Sequence, residues 1–138
     1  MIRVVIVVVV VAVAFGVALL AQRRAPQPPS RAGLGSPGQL DRADFANPSA
    51  PWLIAVFTSA TCDACIDAWS KAAVLESAEV AVQQIEYPRD RLLHDRYAID
   101  AVPLVLVVDD RGVVRSSFVG PVSATHLWAA VADARNSS

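Results

Sequence analysis

The sequence predicts an α/β fold, a central mixed sheet flanked by helices, preceded by an N-terminal transmembrane helix. Three observations carry this expectation. From Trp52 onward, apolar runs of strand length alternate with stretches that are apolar at helical spacing, in the order β-α-β-α-β-β-α. The last two strand runs are joined by Asp109-Asp110-Arg111-Gly112, a hairpin turn, so at least one strand pair is antiparallel. At the other end, the 18 residues from Val4 to Ala21 hold no charge and no strong polar group, about the length that crosses a bilayer as a helix.

The N-terminal run is valine-rich, which in water favours strands. In lipid the backbone must hydrogen-bond to itself, so a lone apolar span is a helix. A cleaved signal peptide is the competing reading. Its charged region would be Arg3 alone, and a cut after Ala21 would leave Leu19 where a small residue is wanted, so an uncleaved anchor over residues 1–22 is expected. Residues 23–38 read as a Pro/Gly-rich linker, with Pro26, Pro28, Pro29 and Pro37 among three glycines and no apolar periodicity. The remaining residues, 39–138, form one domain.

Charge divides the chain in the same place. Residues 1–38 carry Arg3, Arg23, Arg24 and Arg31 and no acid, whereas residues 39–138 carry 8 basic and 13 acidic residues, a net of −5. Arginines flanking the span suit anionic lipid, so residues 4–21 and their flanks predict a membrane-lipid partner. The acidic domain lacks any nucleic-acid footprint. With Arg3 before the span and three arginines after it, the side of the cell membrane on which the domain lies stays open between cytoplasmic and extracytoplasmic.

Within the domain, Gln39 to Phe45 suggests a short strand and a helical turn, closed by Asn47-Pro48-Ser49-Ala50-Pro51. Trp52 to Thr58 reads as the central buried strand. A helix is expected from Cys62 to about Ala78, with Ile66, Trp69, Ala73 and Val74 on its apolar side and Asp67 paired with Lys71 four residues on. Val80 to Tyr87 is a second strand and Asp90 to Tyr97 a short polar helix. Pro103 to Asp109 is a third strand, apolar on both faces, and Val113 to Val119 its hairpin partner. Ser123 caps a last helix carrying Leu127, Trp128 and Val131. Trp52, Trp69 and Trp128 are expected in the core, His94 and His126 on helix surfaces, and Arg89, Arg91 and Arg96 on a solvated helix face.

Chemistry concentrates in Thr58-Ser59-Ala60-Thr61-Cys62-Asp63-Ala64-Cys65-Ile66, which holds both cysteines of the chain. A C-x-x-C pair where a strand passes into a helix reads as a redox pair. A thiolate at a helix N-terminus faces unpaired N–H groups and the positive end of the helix dipole, which lowers its pKa. Cys62 should be the exposed member and Cys65, one turn in, the buried one. The dipole stabilises a thiolate by up to about 2 kcal/mol. Asp63 opposes it by on the order of 1 kcal/mol. The expected Cys62 pKa is therefore nearer neutrality than in strong oxidants, and the couple more reducing. Zinc is the alternative use of two cysteines, but only His94 and His126 are available to complete a site and their spacing fits no finger. No metal and no cofactor are expected.

These residues carry a resemblance. Trp52 to Cys65, followed by Tyr97-Ala98-Ile99-Asp100-Ala101-Val102-Pro103 and by Val119-Gly120-Pro121-Val122-Ser123, resembles the thioredoxin family over about Leu40 to Arg135. The resemblance implies a thioredoxin-like fold with Cys62 as the attacking thiol and Cys65 as the resolving one. It implies a cis bond between Val102 and Pro103, with Pro103 beside the cysteines, the Val102 backbone pairing with an extended substrate, and Gly120 lining the same groove. The pattern departs from thioredoxins proper in Thr61, Asp63 and Ala64, which surround and separate the cysteines and would tune the couple. It also has Val56 where a buried acid is usual and Gln84 or a neighbour where a lysine is usual, which leaves Glu86 and Asp67 as candidate proton acceptors for Cys65.

The expected function is that of a membrane-tethered thiol–disulfide oxidoreductase acting on protein thiols and disulfides, supplied by an electron donor that the sequence does not name. Two alternatives remain beside it: a non-enzymatic redox-sensing or chaperone module, and a metal-delivery protein using the cysteine pair.

Overall fold

A computed structural model describes residues 1–23 and 36–137. Most of the expected linker, residues 24–35, lies outside the described residues. Helix α1 is Ile2–Arg23, with Val4 through Val13 and Phe15 exposed on all sides. Its side chains are described as far as Val17. That length is about 24 Å of helix at 1.5 Å per residue. Among the described residues no helix is long and apolar enough to cross a membrane.

The domain follows the expected order: β1 (Trp52–Ser59), α2 (Asp63–Ala73), β2 (Val80–Tyr87), α3 (Arg91–Arg96), β3 (Leu104–Val108), β4 (Val114–Val119) and α4 (Ala124–Asn136). The sheet runs β2-β1-β3-β4, with β1 and β2 parallel and the other two pairs antiparallel. It is the mixed sheet that a β-α-β crossover plus a terminal hairpin must make. The weak segment before β1 becomes a single bridge between Gln39 and Val113 and a 3₁₀ turn at Arg42–Asp44, capped by the Asp41 carboxylate accepting from the Ala43 amide at 2.9 Å.

Strand alternation divides the core into two layers. Trp52, Ile54 and Val56 of β1 face Ala68 and Ala72 of α2 and Leu127, Val131 and Ala134 of α4. Leu53, Ala55 and Phe57 face the opposite way, onto Leu40, Phe45 and Ala50, with Leu93 and Tyr97 packed alongside. Helices α2 and α4 therefore cover one face, and α3 with the segment before β1 covers the other.

Several positions differ from expectation. Helix α2 ends at Ala73, short of Ala78, because the chain must turn back to set Val80 beside Trp52. The Ser77 hydroxyl makes that turn by accepting from the amides of Glu79 and Val80. Ile66 and Val74 are exposed, and the buried stripe of α2 is Cys65, Ala68 and Ala72. Small side chains let the helix axis approach the sheet, so the larger Ile66 turns outward. Trp128 is exposed rather than core, its indole N–H donating to the Lys71 carbonyl at 3.1 Å. His94 is buried, its Nε2 bonded to the Ile85 carbonyl at 3.0 Å and its ring edge-on to Phe57 and Tyr87. The carbonyl takes one ring nitrogen, and the two aromatic neighbours pack the ring.

Other expectations hold. Asp67 and Lys71 pair at 2.5 Å. Ser123 caps α4 by accepting from the exposed His126. Trp52 is buried and Trp69 packs against the same layer. Arg89, Arg91 and Arg96 are solvated and paired with Asp90, Asp95 and the Asp41/Asp44 carboxylates.

At the end of the sheet where β3 passes into β4, Asp109 and Arg42 are both buried. Asp109 accepts from the amides of Arg111 and Val113 and from the Arg115 guanidinium, shaping the hairpin turn. Burial by itself would raise its pKa. The Val113 amide, Arg115 and the Arg111 amide outweigh it and hold the carboxyl below its ordinary value. Arg42 donates to the carbonyls of Asp109 at 3.0 Å and Ala50 at 2.9 Å.

Candidate active site

Strand β1 ends at Ser59, and the chain turns through Ala60 and Thr61 into α2. The Ala60 amide donates to the Tyr87 carbonyl at 3.0 Å, which clamps this turn to the end of β2, and the Cys62 amide closes the turn on the Ser59 carbonyl at 3.2 Å. Thr61 is exposed, its hydroxyl 3.2 Å from that of Ser59. Cys62 is the N-cap of α2, in extended conformation and with no side-chain cap. At that position the first-turn amides are the unpaired donors of the helix, the environment that stabilises a thiolate.

Cys62 and Cys65 are joined in a disulfide with Cα atoms 5.4 Å apart. Cys62 is half-buried, whereas Cys65 is 2% exposed on the sheet-facing stripe of the helix. Between them Asp63 and Ala64 are exposed, with Asp63 in the first turn of the helix.

The other expected site residues arrive at this end of the sheet by strand pairing. Leu104 opposes Phe57 across β1–β3 and Val119 across β3–β4. Val102 and Pro103, just before β3, and Gly120, just after β4, therefore lie at the cysteine end. The Val102–Pro103 bond is cis. Pro103 is buried and Val102 half-buried. The Gly120 amide donates to the Pro103 carbonyl at 2.8 Å, and Gly120 has φ +82° with open space where a Cβ would stand. A second cis bond, Tyr87–Pro88, follows β2.

Beneath the cysteines, β1 presents no charged side chain to the helix side of the sheet. Val56 and Gln84 are Cα partners across β1–β2, as are Thr58 and Glu86. Thr58 is 1% exposed, and its hydroxyl accepts from the Gln84 side-chain amide at 3.2 Å. Sequence reasoning assigned Thr58 no role. The signal was there: a hydroxyl on the buried face of an otherwise apolar strand needs a partner. Of the candidate proton acceptors, Asp67 is exposed and committed to Lys71, while Glu86 is half-buried beside Thr58.

No family model matches the chain, and no curated protein matches it. Solved structures do. The thioredoxin of Fasciola hepatica is 20% identical, with TM-score 0.52 over 61% of this chain and 81% of that one. Thioredoxin O2 of Arabidopsis thaliana in its oxidised state is 17% identical, with TM-score 0.55 over 67% of this chain and 88% of that one. Thioredoxin F of spinach chloroplast is 16% identical, with TM-score 0.54 over 73% of this chain and 95% of that one. The fold is thioredoxin-like, and it holds a disulfide of C-x-x-C spacing at the N-terminus of α2.

Proposed function

We propose that the protein is a membrane-tethered thiol–disulfide oxidoreductase. The observation that carries the reading is the asymmetry of the Cys62–Cys65 pair: a half-buried sulfur at a helix N-cap and a buried one a turn inside. In the reduced protein the Cys62 thiolate attacks a disulfide of a protein substrate. One substrate sulfur leaves as a thiolate and takes a proton, and the other is bonded to Cys62. Cys65 then loses its proton and attacks Cys62, forming the Cys62–Cys65 bond and expelling the second substrate thiolate. Two electrons pass to the substrate, and a dithiol donor must restore them. The backbone of Val102 and the open surface at Gly120 hold the extended substrate. Asp63 offsets the helix dipole and keeps the couple reducing.

The tether is the N-terminal helix. Val4 to Ala21 is uncharged, and the flanking arginines suit an anionic lipid surface. The deciding experiment is turnover: the protein with a dithiol reductant should reduce a protein disulfide catalytically. Reduction at only the stoichiometry of its own cysteines would instead favour a redox-sensing module.

A further inference from the structure

Helix α2 runs back over the sheet from the C-terminal end of β1, as a crossover between parallel strands must, so its first turn lies above the last residues of β1. Its sheet-facing stripe is Cys65, Ala68 and Ala72. The β1 positions facing that stripe are Ile54, Val56 and, by alternation, Thr58. Thr58 is thus the polar side chain among the β1 positions that face α2. Its oxygen accepts from the Gln84 amide at 3.2 Å, and its proton has no acceptor among the described residues. A hydroxyl at 1% exposure that accepts one bond and donates none recorded among the described residues has a proton available to an acceptor on the helix side.

We infer that the Thr58 hydroxyl, oriented by Gln84, is a positioning residue that donates a hydrogen bond to the Cys65 thiolate when the disulfide is open. This rests on the redox reading above. No such bond is present in the disulfide form, whose uncharged sulfur is a weak acceptor. On opening, the sulfur is released over a face whose other β1 side chains are apolar. An anion there needs a donor, and Thr58 supplies one without itself changing protonation. The Cys65 proton goes to water. Helix α2 carries Asp63, Asp67 and Lys71, the last two ion-paired at 2.5 Å, β2 carries Glu86 as the Cα partner of Thr58, and β1 carries no titratable group; Asp63 and Glu86 oppose a thiolate. The hydroxyl is therefore the group on the sheet that favours the charged sulfur.

The test uses the full chain with Cys62→Ser, which leaves Cys65 as its single thiol, titrated by ultraviolet thiolate absorbance. Thr58→Val should raise the midpoint by about one pH unit, a tenfold change in the thiolate equilibrium. Thr58→Ser should restore the parent midpoint. Gln84→Met, which releases the hydroxyl from its orienting partner, should shift the midpoint in the same direction by less, and serves if Thr58→Val does not fold. A folded Thr58→Val with the parent midpoint overturns the proposal, as does a Thr58→Ser that shifts as far as valine. With Cys62 restored, Thr58→Val should lengthen the life of a mixed disulfide about tenfold at neutral pH. If the parent protein forms no mixed disulfide, the oxidoreductase reading fails, while the single-thiol titration still decides the role of Thr58.

Discussion

The amide of Gly120 donates to the carbonyl of Pro103 at 2.8 Å, tying the loop after β4 to the loop before β3 at the cysteine end of the sheet. Gly120 makes this bond with φ +82°, a conformation that costs a non-glycine residue about 1–2 kcal/mol. Gly120→Ala should lose about that much stability, measured by urea unfolding. No clash adds to it, since nothing lies within 4 Å of the new Cβ. A neutral substitution would mean that the loop relaxes freely and that the bond to Pro103 is not needed.

The two sulfurs should divide the labour. On the proposed mechanism Cys65→Ala keeps the half-buried Cys62 and loses resolution, so it should accumulate mixed disulfides in cells quenched with acid and run on non-reducing gels. Cys62→Ala should trap none. Adducts on Cys62→Ala alone would reverse the assignment.

Asp109 predicts an acid limb in the stability curve. Its folded-state pKa lies below its ordinary value, so its stabilisation is fully present above the unfolded-state carboxylate pKa, roughly 3.9, and is lost as pH falls through the folded value. Asp109→Ala deprives the Arg111 and Val113 amides of their acceptor and should cost about 1–3 kcal/mol at neutral pH. The loss should shrink in thermal melts taken below about pH 4, because the parent's unfolded chain then binds a proton that its folded state does not.

Arg42→Lys should destabilise although the charge is kept. The guanidinium reaches the carbonyls of Asp109 and Ala50 with separate nitrogens, and an ammonium on a straight stem cannot serve both. Leaving one buried carbonyl unpaired costs about 1–3 kcal/mol in denaturant unfolding.

Removal of residues 1–22 should release the protein from the membrane fraction into the soluble fraction after alkaline carbonate washing, while its melting temperature and disulfide exchange stay unchanged. A full-length chain already soluble under that wash would remove the tether from the proposed function.

The element order, the strand spans and the placement of Cys62 and Cys65 at the β1–α2 junction were legible in the sequence. Each depends on local periodicity, on Gly and Pro punctuation and on capping, which act over a few residues. The rotation of a helix about its axis is a different matter. Ile66 and Trp128 looked like core residues and are exposed, and His94 looked like a surface residue and is buried. In each helix more than one stripe offered apolar side chains. The stripe that turned inward was the one whose size matched the gap above the sheet: Ala68 and Ala72 in α2, Leu127 and Val131 in α4.

By itself, then, the sequence determined an α/β domain with a redox-spaced cysteine pair at a helix start, because pattern and spacing are written along one chain. The tertiary structure alone decided what lies around that pair. Parallel pairing of β1 with β2 put Gln84 within 3.2 Å of Thr58, 26 residues apart. The antiparallel pairings of β3 brought Pro103 and Gly120 to the cysteine end. Arg42 met the Asp109 carbonyl across 67 residues. Such contacts follow from strand register, and register is chosen by the burial of a whole face at once rather than by any residue's own preference.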